Sequence, residues 1–323
     1  MRVYSNFPHE LPEKPDYPVV TLGVFDGVHR GHQRILARAF EVAAGRSVAL
    51  VTFDPHPRAV LGPPKRARLL SPLPERLELL AAYPLAAVAV LRFDQQLART
   101  GYQDFVRRVL LEGLGARELV LGYNVALGRE REGDRERLAA LGREIGYGTH
   151  VVDAVEVEGA PVSSTRIRHL LDAGRVDTAR ALLGRGYTLT GTVARGSGRG
   201  RVLGIPTANL QLHPEKLVPA NGVYAVRVQV DSTQHAGAVN IGVVPTFQDS
   251  GARSVEAHLL DYTGDLYGAE LTLEFVSRLR SEQRFSGAEE LVRQVQRDFE
   301  AARRLLEAWG TSKKGPDNSG LGA

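Results

Sequence analysis

The chain of 323 residues contains no cysteine, and this absence excludes several kinds of protein. Disulfide scaffolds, sites in which cysteine binds zinc or an iron–sulfur cluster, and enzymes with a thiol nucleophile are impossible here. Lysine is scarce as well: it occurs only at positions 14, 65, 216, 313 and 314, so 36 of the 41 basic residues are arginine. We therefore expect any phosphate chemistry to use arginine, backbone N–H groups and metal rather than lysine.

Long hydrophobic runs and a block of one charge are also missing. The longest apolar run, Leu79–Leu91, contains Pro84 and is too short to span a bilayer, and the first residues lack the pattern of a signal peptide. The net charge of +4 comes from basic residues scattered among acidic ones. We expect a cytoplasmic protein with no membrane or nucleic-acid partner, and a homo-oligomer remains possible.

The length favours two domains, and the hydrophobic pattern of the first half predicts an α/β fold. Short apolar strands alternate there with helices, which is typical of a parallel sheet covered on both faces. The predicted strands are Val19–Phe25, Ser47–Phe53, Ala87–Arg92, Glu118–Gly122 and Thr149–Asp153. The predicted helices span residues 31–44, 72–82, 101–111, 133–145, 163–173 and 176–183.

After Gly186 the pattern changes to strands without intervening helices, which predicts an antiparallel sheet or a small barrel. The predicted strands are Tyr187–Val193, Gly222–Val230, Gly237–Ile241, Ser254–Leu260 and Glu270–Phe275, followed by an amphipathic helix over about Gly287–Ala308. We place one domain at residues 1–184, a second at residues 185–310, and a disordered tail at residues 311–323.

Segment 23–32 (GVFDGVHRGH) joins the first predicted strand to the first helix. Its glycines permit a tight turn and close approach of a ligand, and the helix N-terminus that follows favours a phosphate. His29 and His32 lie three residues apart, so both rings can point to one spot and hydrogen-bond a triphosphate. A histidine pair that caps the helix, or a pair of metal ligands, would explain the same spacing.

Segment 163–168 (SSTRIR) begins another helix and is a second candidate phosphate site. The hydroxyls of Ser163, Ser164 and Thr165, the free N–H groups and Arg168 one turn inside can all contact an anion. The alternative is an ordinary helix cap, since serine and threonine favour that position.

The second half begins with a glycine-rich stretch, residues 191–209, that is not a P-loop because the chain contains no G-K-S/T sequence. Its glycines, including Gly196, Gly198 and Gly204, can present N–H groups to phosphates. Thr207 and Asn209 supply neutral oxygens suited to Mg²⁺. A flexible linker is the alternative, but the apolar and Pro-Thr-Ala-Asn residues at its end do not fit linker composition.

Glu256 is a carboxylate within an otherwise apolar predicted strand. It is either an inward-facing base or a solvent-facing residue of a half-exposed strand, and the second is the commoner case.

The first-half motifs resemble the HxGH nucleotidyltransferase superfamily and, within it, the N-terminal module of prokaryotic bifunctional riboflavin kinase/FAD synthetases. Matching segments are also 52–57 (TFDPHP) and 121–124 (LGYN), whereas Val125–Leu127 replace an aromatic and basic stretch that is usual in the family. The resemblance implies a Rossmann-like domain with a flavin across the same crevice. It also implies ATP-binding residues, namely Gly23, Phe25, Asp26, His29, Gly31, His32, Asn124, Ser163, Ser164, Thr165 and Arg168.

The second-half motifs resemble the flavokinase family. They are segments 200–209 (GRVLGIPTAN), 240–247 (NIGVVPTF), 255–261 (VEAHLLD) and 265–268 (DLYG), and then Arg280, Glu282 and Phe285. The resemblance implies a six-stranded antiparallel barrel with a C-terminal helix. It further implies Mg-ATP held at Thr207 and Asn209 beside the glycine-rich loop, and Glu256 as general base.

The two resemblances together imply ATP-dependent phosphorylation of riboflavin to FMN and adenylylation of FMN to FAD with release of pyrophosphate. The first alternative is another HxGH enzyme, such as an aminoacyl-tRNA synthetase-like protein or a pantetheine-phosphate adenylyltransferase. The second module counts against both, and the missing K-M-S-K-S-type loop counts against the synthetase. The second alternative is a nucleic-acid-binding protein, which the 7% aromatic content without an aromatic ladder disfavours.

Overall fold

The structure is a computed structural model, and it describes residues 1–7, 16–62, 68–195, 205–243 and 253–311. The chain forms two compact units. The first comprises Met1–Arg166 with Pro214–Leu217, and the second comprises Ile167–His213 and the described residues from Val218 onward. None of the described helices combines the length and apolarity needed to cross a bilayer. The predicted disordered tail lies outside the described residues, except for Thr311.

The first unit is built on a six-stranded parallel sheet with the order β1-β4-β3-β2-β5-β8. The strands of this unit are β1 (Arg2–Phe7), β2 (Val19–Leu22), β3 (Val48–Asp54), β4 (Ala87–Arg92), β5 (Glu118–Gly122), the short hairpin β6 (Ala126–Leu127) and β7 (Gly133–Asp134), β8 (Gly148–Val152), and the short hairpin β9 (Glu156–Val157) and β10 (Ala160–Pro161). The helices are α1 (Arg30–Ala43), α2 (Pro57–Leu61), α3 (Leu73–Ala81), α4 (Gln95–Ala98), α5 (Tyr102–Phe105), which continues as a π-helical segment (Val106–Glu112), and α6 (Arg135–Ile145), with α7 (Ser164–Asp172) beginning at the end of the unit.

The central strands are apolar on both sides because both faces of the sheet are covered. Neighbouring residues of a strand point to opposite faces, and Val19 and Val20 of β2 accordingly join two different buried clusters. Leu36 and Ala39 of α1 pack into the Val19 cluster, and Leu110 packs into the other. The prediction of a parallel sheet covered on both faces is therefore confirmed.

The second unit contains a closed antiparallel barrel with the strand order β11-β12-β15-β14-β13-β16. Its elements are α8 (Val176–Leu183), β11 (Tyr187–Ala194), β12 (Ala208–Leu212), β13 (Gly222–Val230), β14 (Thr233–Val243), β15 (Arg253–Leu259), β16 (Glu270–Arg280) and the C-terminal helix α9 (Ala288–Thr311). This confirms the barrel and the final helix. The strands that were not predicted are β12 of the barrel, β1 of the first unit, and the four short hairpin strands β6, β7, β9 and β10.

A buried ion pair and an apolar contact are among the interactions that hold helix α9 on the barrel. The Arg280 guanidinium donates to both oxygens of the Asp298 carboxylate at 2.8 to 3.0 Å, and Asp298 is only 5% exposed. Ala302 is fully buried against Ala225 and Ala238 of the barrel. Because a buried bidentate pair fixes direction as well as distance, α9 is held in a defined orientation on the barrel.

The short segment Pro214–Leu217 packs within the first unit, although it follows β12 in sequence. Its backbone pairs with Leu69 on both sides, since Leu69 N donates to Glu215 O and Leu217 N donates to Leu69 O, each at 2.8 Å. The Lys216 ammonium donates to Leu70 O at 2.7 Å and forms a close ion pair with the Glu75 carboxylate. The Lys216 side chain is 1% exposed, so this is a buried charge pair.

We predict that Lys216→Met destabilises the protein by about 3 kcal/mol, because it leaves the Glu75 carboxylate buried without its cation. The double variant with Glu75→Leu removes both charges and should recover much of that loss in a urea unfolding experiment. Arg293→Met is the control, because the Arg293–Glu289 pair lies in solvent and should contribute little. A double variant as unstable as Lys216→Met would contradict the prediction.

Candidate active sites

The carboxyl ends of β2 and β5 form the point of the sheet where the strand order reverses. From β2 the chain moves outward on one side through β3 and β4, and it then returns to β5 on the other side of β2. Segment 23–29 follows β2, and Asn124 follows β5. Open α/β sheets bind ligands in the crevice at such a point, so the topology brings the predicted segments to a suitable place.

The two histidines of the HxGH segment are stacked at the start of α1. Their ring centroids are 3.6 Å apart with an angle of 14° between the planes. His29 caps the helix, since its Nδ1 accepts from His32 N at 3.4 Å. A Cβ at Gly31 would lie 3.2 Å from the His29 ring, so a side chain at the third motif position would press on that ring. In the neutral ring, Nδ1 as acceptor leaves the proton of His29 on Nε2.

The loop between β2 and α1 is conformationally strained. Phe25 (φ 53°) and Val28 (φ 37°) adopt the left-handed region that L side chains avoid, and a β-branched residue there is a true outlier. Gly27 (φ 82°) takes the same region without cost. Each strained residue costs about 1–3 kcal/mol and persists only where its surroundings hold it.

Hydrogen bonds of Asp26 hold this loop in place. Its carboxylate accepts from Ser71 N at 2.9 Å and from Leu70 N at 3.2 Å, while Ser71 Oγ accepts from Gly27 N at 2.7 Å. Ser164 Oγ donates to the Asp26 carbonyl at 3.0 Å. Asp26 is 2% exposed, so the side chain predicted to bind nucleotide faces the protein and orders the loop.

A second anchor comes from Thr52 at the end of β3. Thr52 Oγ1 donates to Val24 O at 3.0 Å and accepts from Arg76 Nη1 at 2.9 Å, and the same Nη1 donates to Phe53 O at 3.1 Å. Arg76 is fully buried, and this burial lowers its pKa while the Asp26 carboxylate opposes the shift. The sequence analysis missed both Ser71 and Arg76, because each looks like an ordinary residue at the start of a surface helix.

We predict that Thr52→Val lowers the free energy of unfolding by about 1–3 kcal/mol, because the partly buried Val24 carbonyl loses its hydroxyl donor and the buried Arg76 loses one of the two oxygens that its Nη1 binds. It should also slow the reaction that the sequence predicts for this crevice, since the strained loop loses an anchor. The matched control is Thr21→Val on the neighbouring strand β2: Thr21 is fully buried too, and its hydroxyl has no hydrogen-bond partner among the described residues. Thermal unfolding should show Thr21→Val to be neutral or stabilising. Equal losses in the two variants would contradict the assignment.

The start of α7 combines a cap with contacts to the loop. Ser163 Oγ accepts from Arg166 N at 3.2 Å, which is the ordinary capping contact. Ser164 is the residue already tied to the Asp26 carbonyl, and Thr165 is exposed. Arg168 lies further along α7, in the part that belongs to the second unit. The nucleotide-binding roles of these four residues stay predictions.

The loop after β5 is packed rather than open. Val125 and Leu127 lie against the buried cluster of the sheet. A Cβ at Gly128 would lie 2.4 Å from Tyr102 N, so the β6–β7 hairpin sits directly on the start of α5. The residues that depart from the usual family pattern therefore serve core packing.

In the barrel, Glu256 lies in a row of polar residues on three adjacent strands. It pairs with Asn209 of β12 on one side and with Asn240 of β14 on the other. Directly opposed residues share a face, with Cβ atoms about 4.5–5.5 Å apart. Its neighbours Val255 and Ala257 are buried at 3% and 0% exposure, so they face the interior and Glu256 faces outward. The structure thus decides between the two orientations in favour of the outer, half-buried one.

The other predicted residues of this site are described only in part. Gly196, Gly198 and Gly204 lie outside the described residues. Thr207 is half-buried and directly precedes β12, two positions before Asn209. Thr207, Asn209 and Glu256 together offer a hydroxyl, an amide and a carboxylate. This set of oxygen donors suits a hard divalent cation such as Mg²⁺.

Two further motifs of the second half meet beside Asn240. A Cβ at Gly242 would lie 2.7 Å from a Glu282 carboxylate oxygen, so the Glu282 side chain comes close to the backbone of β14 there. The other Glu282 oxygen accepts from Asn221 Nδ2 at 3.2 Å. These contacts explain the spacing Arg280-x-Glu282, because Arg280 forms the ion pair with α9 and Glu282 reaches the end of β14.

His258 lies two residues after Glu256 on the same face of β15. Its Nδ1 is 2.7 Å from the Pro206 carbonyl oxygen, and its ring stacks on Phe299 of α9 with centroids 4.1 Å apart and planes at 9°. Burial lowers the pKa of His258, which favours the neutral imidazole. Because a carbonyl oxygen only accepts, Nδ1 carries the proton and donates it.

The fold and the two sites define a class of protein: an enzyme in which a Rossmann-like nucleotidyltransferase unit precedes a β-barrel unit with its own oxygen-rich site. Comparison with known proteins narrows this class. The family model of FAD synthetase matches residues 11–166, and that of riboflavin kinase matches residues 183–306. The chain belongs to the bifunctional riboflavin kinase/FMN adenylyltransferase family. It is accordingly a riboflavin kinase through its C-terminal part and an FMN adenylyltransferase through its N-terminal part.

Relatives of this family align along most of the chain. The bifunctional riboflavin kinase/FMN adenylyltransferase of Pseudomonas fluorescens is 40% identical over 299 residues, which covers 92% of this chain and 96% of the relative. That of Bacillus subtilis is 33% identical over 310 residues and covers 94% and 98%. A crystal structure from Streptococcus pneumoniae, described as a macrolide-efflux protein, superposes with a TM-score of 0.86 at 28% identity over 94% of this chain and 99% of its own. That description concerns the other protein alone.

Proposed function

We propose that the two reactions occur at the two sites described above, with the first domain spanning residues 1–184 and the second residues 185–310. Riboflavin and ATP would react at the Glu256 row of the barrel. FMN and a second ATP would react at the carboxyl ends of β2 and β5. The observation that carries this proposal is the placement of one clustered set of polar residues in each unit, at the stacked histidines and at Glu256. Both reactions are proposed to take place in the cytoplasm, where ATP is available.

In the kinase reaction, Glu256 accepts the proton of the riboflavin 5′-hydroxyl as that oxygen attacks the γ-phosphorus of ATP. The new P–O bond gives FMN, and the bond to the β-phosphate breaks to release ADP. The outward, half-buried position of Glu256 lets the carboxylate reach a bound hydroxyl. Such a base raises the reaction rate by about 10²–10⁴-fold.

Thr207 and Asn209 are proposed to hold Mg²⁺, and their oxygens fit that ion as described above. Bound Mg²⁺ would offset charge on the phosphates during phosphoryl transfer. The described residues near Glu256 contribute neutral amides from Asn209 and Asn240 on either side of it. These amides orient groups without adding charge to the site.

In the adenylylation reaction, a phosphate oxygen of FMN attacks the α-phosphorus of ATP, and pyrophosphate leaves. No covalent enzyme intermediate is needed, because the incoming phosphate is itself the nucleophile. His29 and His32 are proposed to hydrogen-bond the phosphate oxygens as charge redistributes, with Ser164, Thr165 and Arg168 completing the set. The stack of the two rings and the cap made by His29 support this role, because they fix the positions of the imidazoles.

We predict that His32→Ala reduces conversion of FMN to FAD by about 10²–10³-fold, because a preorganised donor to the reacting phosphates is lost. FMN should still accumulate when riboflavin and Mg-ATP are supplied and the products are separated. His150→Ala is the control, since His150 contacts Glu118 at the first residue of β5, at the opposite end of that strand from the crevice. Loss of both activities in a folded His32→Ala protein would contradict the two-site proposal.

We predict the converse for Glu256→Gln, which keeps the shape of the side chain but cannot accept a proton at neutral pH. Formation of FMN should fall by about 10²–10⁴-fold. Conversion of supplied FMN to FAD should remain at the normal rate. Glu270→Gln, an exposed carboxylate at the start of β16, serves as the control. If Glu256→Gln phosphorylates riboflavin normally, another group is the base.

A further inference from the structure

Pro206, the residue before Thr207, is held by a contact with a side chain of the barrel. Pro206 is exposed, precedes Thr207 and cannot donate a backbone hydrogen bond. Its carbonyl accepts from His258 Nδ1 at 2.7 Å, a short contact between positions 52 residues apart in sequence. The peptide between Pro206 and Thr207 is therefore fixed at its carbonyl end by His258.

His258 is itself held in place by the C-terminal helix. Its ring lies parallel to the Phe299 ring at 4.1 Å, with 9° between the planes. Phe299 packs beside the buried Ala302, and Asp298 is locked to Arg280. The ring therefore has a fixed plane, which aims Nδ1 at the Pro206 carbonyl. The chain of contacts runs from α9 through the His258 ring to the peptide before Thr207.

We propose that His258 is a positioning residue for the kinase reaction, which sets the place of the Thr207 hydroxyl and the Asn209 amide relative to Glu256. This inference rests on the proposed roles of Thr207, Asn209 and Glu256. His258 and Glu256 lie on one face of the same strand, so a single rigid element carries the proposed base and also fixes the proposed cation ligands. The helix α9 supports the site through that strand without contacting substrate.

The test separates the hydrogen bond of His258 from its ring. His258→Phe keeps an aromatic ring for the stack on Phe299 and loses the donor. His258→Asn places an amide N–H near the position of Nδ1 and loses the ring. We expect His258→Phe to raise the KM for ATP and the Mg²⁺ concentration for half-maximal rate by about five- to tenfold, the effect of losing one ordinary hydrogen bond. The KM for riboflavin should change by less than about twofold, and kcat should change less than the KM for ATP.

His258→Asn should restore the KM for ATP to near the normal value, even if its melting temperature falls. The matched control is His235→Phe, because His235 lies on β14 of the same barrel and its ring packs edge-on against the Tyr262 ring. This control should leave both KM values unchanged.

Three outcomes would overturn the inference. They are a normal KM for ATP in His258→Phe, equal rises in the KM for ATP and for riboflavin, and an Asn variant as impaired as the Phe variant. Each would leave His258 as a packing residue. Two other measurements test the proposed function: whether the unmodified enzyme forms FMN, and whether Glu256→Gln stops that step. Conversion of supplied FMN to FAD, measured on every variant, reports that the first unit remains folded, and an unchanged KM for riboflavin reports the same for the barrel.

Discussion

The strained loop between β2 and α1 is the constraint on which the first unit depends. Two L residues with positive φ, one of them β-branched, place His29 at the helix start and turn the chain sharply enough for the imidazoles to stack. Such a conformation persists only if its neighbours supply more than it costs. The hydrogen bonds from Ser71, Thr52 and Ser164 do so from three different parts of the chain. The loop is thus held by groups of the protein itself, which is what electrostatic preorganisation requires.

In the barrel, strand register positions the residues of the proposed site. Asn209, Glu256 and Asn240 form a row only because β15 lies between β12 and β14 in that register. A slip of one residue would turn Glu256 inward and move Val255 out to solvent. Burial of Val255 and Ala257 therefore keeps the register, and the register keeps the polar row on the outer face. Apolar packing inside the barrel therefore determines which polar side chains lie on its outer face.

The sequence predicted the class of each unit well, because apolar periodicity reports which strands are buried on both faces. It also brought out His29, His32 and Glu256, whose polar character is conspicuous in apolar or glycine-rich surroundings. The strand β12 escaped prediction because it follows a glycine-rich stretch, and β1 because polar residues interrupt its alternation. Ser71 and Arg76 escaped for another reason: their contacts with Asp26 and Thr52 span 24 to 45 residues of sequence, and local patterns do not report contacts of that range.

The contacts of the buried cations show that arginine and the scarce lysine have different uses in this protein. Arginine is used where several oxygens must be held: Arg280 holds both carboxylate oxygens of Asp298 with its planar fork, and Arg76 Nη1 donates to both Thr52 and Phe53. Lys216, the single lysine within the described residues, instead acts as a compact charge between one carbonyl and one carboxylate. Neither cluster proposed to handle phosphate contains a lysine. The three cations with these contacts, Arg76, Arg280 and Lys216, therefore act by fixing the positions of other groups.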